Sequence, residues 1–556
     1  MKKRTLFACS LAAALFAGCS SDDVTVDNGK VDPNAKSYLS LRVSLPSTSG
    51  NTSRDTSDPN GQQNDNLNSG DPDEYKVNKI TLVCFDNTDK IVQINNDISA
   101  TWSGTTASGI STEAVLPVQE VNSTTRKVLV LLNQPAISSL AVNNTFATFN
   151  TELSGLTAES LTGTDHNNFF MSNAPLSDGT NRTVLVNVEP KETKEAAMAN
   201  VRDVYVERAT GKVTVTTNGW TTPENKFWTY TITEPGFNGD KVEIKNWKID
   251  NYNTTTYPVR KYADNAATWE AYTDNNNGQR FYGSLKYYNN AYGRTYWAED
   301  PNYDGKTGLE TSTDNLDNAA TLDALKSPKY CLENTFDVNH MTADNTTRVV
   351  IKALYTPKDL GEGTWFRLGN SSTAYNLTTL QNKINSELGL SGENIVKLKA
   401  DYGFVADQQE FNISMFQDAV AGTNKSITDA EITKLKTNLG KITAYIDGYC
   451  YYTVLIQHFG SYYTPWGAET GAKEWTNGGK YYTYIASDET DEEEYFLGRY
   501  GIVRNNWYQL ELNKVSAPGS PKVPAVDDTP DDELKYYLSA TVKIMDWAVR
   551  KQSVNL

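Results

Sequence analysis

Residues 38–45 read Tyr-Leu-Ser-Leu-Arg-Val-Ser-Leu, and the stretch directly after them is built from opposite material. Leu39, Leu41, Val43 and Leu45 fall on one face of an extended chain, with Tyr38, Ser40, Arg42 and Ser44 on the other. This period-two alternation predicts a half-buried strand. Pro46 closes it, because proline has no N–H to give to a ladder. Residues 47–74 are almost wholly Ser, Thr, Asn, Asp, Gly, Gln and Pro, with Leu67 the one aliphatic side chain. A segment so poor in apolar surface cannot offset the entropy of ordering it. Arg54 is its one basic residue. The sequence thus predicts a strand tied to the rest of the chain by a flexible leash with one trypsin-like cleavage site. Cutting the leash would let the strand leave and open its slot to another.

At 556 residues the chain exceeds a single core and calls for two or three domains. A net charge of −17 argues against nucleic acid as a partner, since a phosphate backbone needs a basic stripe. The abundance of Asn, Thr, Ser, Gly and Tyr suits a β-rich extracellular protein.

The N-terminus reads as an address. Met1-Lys2-Lys3-Arg4 is a charged region and residues 6–17 an apolar stretch too short to stay in a bilayer as a helix. Leu15-Phe16-Ala17-Gly18-Cys19 resembles the bacterial lipobox, in which the cysteine is lipidated and becomes the mature N-terminus, although Phe16 stands where an aliphatic residue is usual. Ser20-Ser21-Asp22-Asp23 resembles the acidic tag of Bacteroidetes surface lipoproteins. Beyond Cys9 and Cys19 there remain Cys84, Cys331 and Cys450, an odd number, so the fold does not rest on a disulfide framework. Cys84 shares a strand face with Ile80 and Leu82.

Further strands are predicted over 76–85, 126–132, 167–173, 183–188, 200–207 and 212–216, separated by Gly/Asn/Asp/Pro clusters, which reads as a β-sandwich. Residues 191–199 read as a linker or short helix near a domain boundary. Residues 218–345 show little periodicity and suggest loop-rich insertions. More strands are predicted over 348–355, 442–446, 450–458, 507–515 and 536–545. Two helices are predicted, over 378–388 with Gly389 as its C-cap, and over 428–439, opened by the capping pair Thr428 and Glu431.

Catalytic chemistry finds little support. His166, His340 and His458 are isolated, no metalloprotease, nucleophile-elbow or paired-cysteine motif occurs, and no Gly-rich phosphate loop appears. His458 ends an apolar strand and reads as a core residue. No cofactor is implied. Asp300, Asn302 and Asp304, before Gly305, resemble the start of a calcium loop, but the closing glutamate, Glu310, falls one place early, so the segment reads better as an acidic turn on the surface. Three aromatic clusters, Tyr451-Tyr452, Tyr462-Tyr463 with Trp466, and Tyr481-Tyr482 with Tyr484, suit the covering of a sheet face more than the stacking of sugars. The last ten residues, 547–556, run to the terminus with no turn after them. Trp547 and Val549 share one parity and Val554 and Leu556 the other, so a bulge falls between, and such a strand invites edge-to-edge association. Leu538, Ala540, Val542 and Ile544 repeat the spacing of Leu39, Leu41, Val43 and Leu45.

Five segments carry a family resemblance: Phe169-Phe170-Met171-Ser172-Asn173, residues 204–213, Glu333-Asn334-Thr335, residues 500–508 and residues 547–556. With the lipobox they resemble the fimbrillins of Bacteroidales (type V pili), specifically the major subunit of the short fimbriae. Asn506 and Gly211 depart from that pattern, where a histidine and an alanine are expected. The resemblance implies a mainly β fold of two transthyretin-like sandwiches in tandem, with a few short helices and long loops in the second. It implies a signal peptide over 1–18, a propeptide over 19–54 with the removable strand 38–45, sandwiches over 55–198 and 199–545, and a donor strand over 546–556. The implied protein is no enzyme. It is a fimbrial shaft subunit exported as an outer-membrane lipoprotein through Cys19, cut after Arg54 by a surface trypsin-like protease, and polymerised by donor-strand exchange. Trp547, Val549, Val554 and Leu556 of one copy would enter the slot left by Leu39, Leu41, Val43 and Leu45 of the next. Its partners would be copies of itself, accessory fimbrial subunits, and host or bacterial surface receptors in adhesion and biofilm. The alternative reading is a surface glycan-binding lipoprotein of a nutrient-uptake system.

Overall fold

The computed structural model describes residues 36–45, 70–105, 110–174, 176–177, 182–224, 226–261, 293–294, 298–305, 309–311, 316–336, 340–458, 500–529 and 538–546. Within them the chain is mainly β, as the alternating runs predict.

The first sandwich is built on one nine-stranded sheet that folds over on itself. The strands of this sandwich are β1 (Lys36–Leu39), β2 (Leu41–Ser44), β3 (Ile80–Phe85), β4 (Ile91–Asn95), β5 (Trp102–Thr105), β6 (Ser111–Val115), β7 (Gln119–Asn122), β8 (Lys127–Leu132), β9 (Met171–Asn173) and β10 (Arg202–Arg208). The main order is β4-β3-β8-β9-β10-β2-β6-β5, with a short strand at 186–187 added on β8 and β1 pairing separately with β7. The two arms enclose one core, to which Leu82, Cys84, Val128 and Val130 contribute from one arm and Leu41, Val43 and Val204 from the other. Val83, Phe85, Leu129 and Leu131 face the opposite way into a second cluster, so β3 and β8 are buried on both faces. That explains their continuous apolar runs.

The first sheet extends past the boundary expected at residue 198. Strand β10 pairs with β2 and β9, and the chain crosses to the second sandwich only at Ala209, before β11 (Thr210–Thr217). The reason lies in the side chains: Val204 and Val206 fill the first core, Val213 and Val215 the second.

The second sandwich packs two four-stranded sheets around a core that includes Trp247, Ile351 and Leu510. Its remaining strands are β12 (Thr229–Thr231), β13 (Lys241–Asp250), β14 (Lys329–Leu332), β15 (Arg348–Thr356), β19 (Tyr449–Leu455), β20 (Asn506–Val515) and β21 (Leu538–Asp546), while β16 (Trp365–Leu368), β17 (Gln408–Gln409) and β18 (Ile442–Tyr445) form a sheet of their own. The sheets run β14-β11-β20-β21 and β12-β13-β15-β19. Strand β13 lies inside the stretch expected to be irregular. Val242 and Ile244 share one parity and Trp247 and Ile249 the other, because the register against β15 shifts between Ile244 and Asn246. That bulge erases the alternation that would have announced the strand.

Between β15 and β19 a small unit forms from the sheet β16-β18-β17 and two helices. Helix α1 (Leu377–Leu388) ends on Gly389 in the left-handed conformation, and α2 (Asp429–Leu439) opens with Thr428 and Glu431 capping each other's backbone N–H. Leu380, Ile384, Ile432 and Leu435 seal a third core with Phe366 and Ile442. Among the described residues no helix is long and apolar enough to cross a membrane.

Candidate functional site: the leading strand and its slot

The leading segment occupies a slot with both edges bonded. β2 runs parallel to β10, Leu41 opposite Arg202 through Ser44 opposite Tyr205, and antiparallel to β6, Val43 opposite Ala114. β1 runs antiparallel to β7, Tyr38 opposite Glu120. The segment is therefore two strands rather than the one expected, because it changes partners at Ser40, whose carbonyl accepts from the Arg202 N–H at 2.9 Å. Tyr38 exchanges backbone bonds with Lys191 at 2.7 and 2.9 Å, and the Leu45 N–H donates to the Thr112 carbonyl at 2.8 Å.

Leu41 and Val43 have 0% exposure, Leu39 4% and Leu45 2%. The expectation of an exposed opposite face holds for Arg42 but not for Ser40 and Ser44, which are also buried. Burying four such side chains is worth about 1.5–3 kcal/mol each, roughly the net stability of a domain. The charges add little: Arg42 meets Asp203 at 3.2 Å and Lys36 meets Glu120 at 2.8 Å, all of them well exposed. The segment is thus held by apolar side chains and main-chain bonds, the two things any strand of suitable pattern can supply.

Cys19, expected to carry the lipid, Arg54, expected as the cleavage site, and the expected donor residues Trp547, Val549, Val554 and Leu556 lie outside the described residues, as do the aromatic clusters at 462–466 and 481–484. Tyr451 and Tyr452 are buried and pack in the second sandwich, so that cluster offers no stacking surface. Strand β21, whose pattern resembles that of the leading segment, lies antiparallel on β20 over its whole length.

Of the calcium candidates, Asp300 and Asn302 are committed elsewhere, and Asp304 is exposed. Asp300 is buried and accepts from the Thr335 and Asn302 N–H groups, both at 2.6 Å. Asn302 donates its side-chain amide to Asn253 Oδ1 at 2.7 Å. Burial pushes the Asp300 carboxyl up to about 8, against the pull of those two amides. Asp300 and Asn302 face inward rather than lying on the surface as expected, because their polar groups find partners inside, while Asp304 stays on the surface. No cluster of metal-binding side chains occurs among the described residues. His458 is a core residue, with Nδ1 at 2.7 Å from the Tyr508 hydroxyl. Cys84, Cys331 and Cys450 are free and buried, and burial raises each thiol to about 12.

One cluster escaped the sequence reading, at the junction of the sandwiches. Glu74, on the short helix Pro72–Tyr75, is buried, and its Oε1 takes the Lys212 ammonium at 2.5 Å and the Tyr330 hydroxyl at 2.7 Å. Arg208, fully buried, donates Nε and Nη2 to the Glu74 carbonyl at 3.1 and 3.0 Å. Glu207 pairs with Arg260 at 2.7 Å and Glu333 with Arg504 at 3.0 Å, all buried. The Arg208 N–H donates to Asn505 Oδ1 at 3.2 Å, and Asn334 exchanges backbone bonds with Ile502 at 2.8 Å. Phe169 lies 5.0 Å from the Tyr330 ring. Four of the five segments that carry the family resemblance therefore meet here. Gly211 belongs to the same junction: a Cβ there would stand 2.8 Å from Ile502 Cγ2, so the glycine suits this packing where alanine was expected.

A chain of this build, two tandem sandwiches with a leading strand seated in the first, compares with fimbrial subunits. Residues 37–189 match the family described as Major fimbrial subunit protein (FimA). Residues 473–553 match the family described as Major fimbrial subunit protein type IV, Fimbrillin, C-terminal. The resemblance to the fimbrillins thus has a match at both ends of the sequence, and the role these matches support is a structural one, as a subunit of a cell-surface fimbrium. Comparison with curated proteins gives no match. Similar solved structures include a fimbrilin from Porphyromonas gingivalis, 14% identical, covering 93% of this chain and 98% of its own, TM-score 0.36. A candidate cell adhesion protein from Parabacteroides distasonis is 12% identical, covering 92% and 98%, TM-score 0.39. The tip fimbrial protein Mfa3 from Porphyromonas gingivalis, truncated at its C-terminus, is 10% identical, covering 92% and 100%, TM-score 0.33.

Proposed function

We propose that this protein is the shaft subunit of a short fimbrium, exported as a lipoprotein through Cys19, matured by cleavage after Arg54 and polymerised by donor-strand exchange. The observation that carries the reading is the leading segment: ten residues, 36–45, bonded along both edges and sealed by Leu39, Leu41, Val43 and Leu45, with a polar leash and its one arginine next in sequence.

Cleavage alone does not empty the slot, because the apolar burial given up is comparable to the stability of the domain. It changes the tether. Joined by the leash, the strand rebinds at an effective concentration in the millimolar range; cut, it is diluted. A neighbour's strand that supplies the same main-chain bonds and alternating side chains then replaces it at little net cost, the mode of strand addition. The tail fits in length, since residues 547–556 are also ten, and Trp547, Val549, Val554 and Leu556 provide four apolar side chains. Arg42 makes a poor cleavage site, because its backbone is paired in the sheet while a protease needs an unpaired strand. A head-to-tail contact of this kind does not close and builds a filament. Adhesion and biofilm then arise from the filament, with accessory subunits and surface receptors as partners.

The reading is tested on purified, non-lipidated precursor treated with trypsin, by N-terminal sequencing and mass spectrometry of the particle that remains. A new N-terminus at Asp55, with residues 36–45 missing from the assembled material, supports it. A particle cut at Arg54 that stays monomeric and keeps residues 36–45 overturns it.

A further inference from the structure

Strand β10 serves two neighbours at once. Residues 202–205 pair with the leading segment, and Val206, Glu207 and Arg208 pair with β9. When β1 and β2 depart, β10 loses the partner of its first half and keeps three residues of pairing with β9. The nine-stranded sheet is then divided, with β6 and β5 on the far side of the gap. Bare edges on both sides of an emptied slot are prone to collapse or mispairing. Something other than the ladder has to hold β10 in place while one strand leaves and the next takes its place.

The structure assigns that task to the buried cluster of Glu74, Arg208 and Lys212: we propose that these are the positioning residues of the acceptor slot. The inference rests on the strand-exchange reading and names the residues that keep the slot receptive. Arg208 is the last residue of β10, and Lys212 lies just beyond, near the start of β11. Both are fastened to Glu74, Arg208 through the Glu74 carbonyl and Lys212 through its carboxylate at 2.5 Å. The other Glu74 oxygen accepts from the Asp71 N–H at 3.1 Å, so the short helix and the crossing strand form one knot. Tyr75, beside Glu74, carries the Arg208 guanidinium 4.5 Å from its ring and packs in the same core cluster as Leu39, Leu41, Val43 and Leu45. The knot is therefore also part of the surroundings of the slot.

Its place in the sequence fits the task. Glu74 stands at the end of the leash, on the side of Arg54 that cleavage retains. Cutting at Arg54 separates the strand that leaves from the residue that holds the strand that stays. A buried ion pair is a poor source of net stability but a strong determinant of geometry, since breaking it leaves a charge without compensation in a dry site.

The test separates accepting from donating. Glu74→Gln preserves the shape of the side chain and removes the charge that holds Lys212, and Arg208→Met, carried through the same two arms, removes the guanidinium bonded to the Glu74 carbonyl. As an acceptor, the Glu74→Gln chain ending at residue 546 is cut with trypsin and mixed with uncut wild-type chain, whose own slot is filled. As a donor, uncut full-length Glu74→Gln is mixed with cut wild-type chain ending at residue 546. Heterodimers are counted by native mass spectrometry. Asp250→Asn, which breaks a buried pair with Arg348 in the second sandwich, serves as the control for general weakening. The expected result is loss of dimer in the acceptor arm, unchanged dimer in the donor arm, and both arms intact for Asp250→Asn. An acceptor as good as wild type overturns the positioning role, and so does equal loss in both arms. If wild type itself forms no dimer, the strand-exchange reading falls and the positioning role falls with it.

Discussion

Under the proposed strand exchange, Leu41 and Val43 act at one time only. In the full chain they are sealed in the first core; after the proposed exchange they would be gone from the subunit. Substitutions there should therefore register in the precursor and not in the assembled filament. Leu41→Ala is expected to destabilise the precursor by about 2–5 kcal/mol in urea unfolding, the cost of a buried leucine truncated. Filaments grown from the cut variant should dissociate at the same urea concentration as wild type; filaments weakened by a comparable amount would show that the strand is retained. The four apolar residues were legible in the sequence, because alternation alone sorts them to one face. The change of partners at Ser40 was not, since it depends on strands near residues 115 and 200 that no local pattern announces. Glu74 and Arg208 were equally hidden: in sequence they are an acidic and a basic residue like many others, and only the fold brings them together.

At the scale of elements, the turn at Asp300 carries a pH dependence with a definite sign. Burial raises its carboxyl from the ordinary range to about 8 in the folded chain. A group with a raised folded value stabilises the fold fully below its unfolded value near 4, and that contribution is lost as pH rises toward 8. Thermal unfolding tracked from about pH 4 to about pH 9 should therefore show a falling midpoint that flattens in Asp300→Asn. Identical slopes in the two proteins would show that Asp300 ionises normally inside the fold. Elements with clean signals were legible, helix α2 from the Thr428 and Glu431 cap and β15 from its apolar run. Strand β13 was lost to its bulge, and the end of the first sheet was misplaced because β10 and β11 form nearly one continuous run whose halves belong to different cores.

For the whole molecule, the tandem β architecture was readable from the spacing of strands and turns, whereas the junction that fixes the two sandwiches is a product of contacts between segments far apart in the chain, such as Arg208 with Asn505 and Arg504 with Thr256. That junction holds one end of β10, and β10 borders the slot, so the second sandwich shapes the part of the first that would receive a partner under the proposed exchange. The central claim is that a neighbour's last ten residues replace this subunit's leading strand. The most direct measurement compares trypsin-treated full-length chain with trypsin-treated chain ending at residue 546, both viewed by electron microscopy. Fibres from the full-length chain and single particles from the truncated one are predicted. Fibres from both, or from neither although Arg54 is cut, would contradict strand exchange.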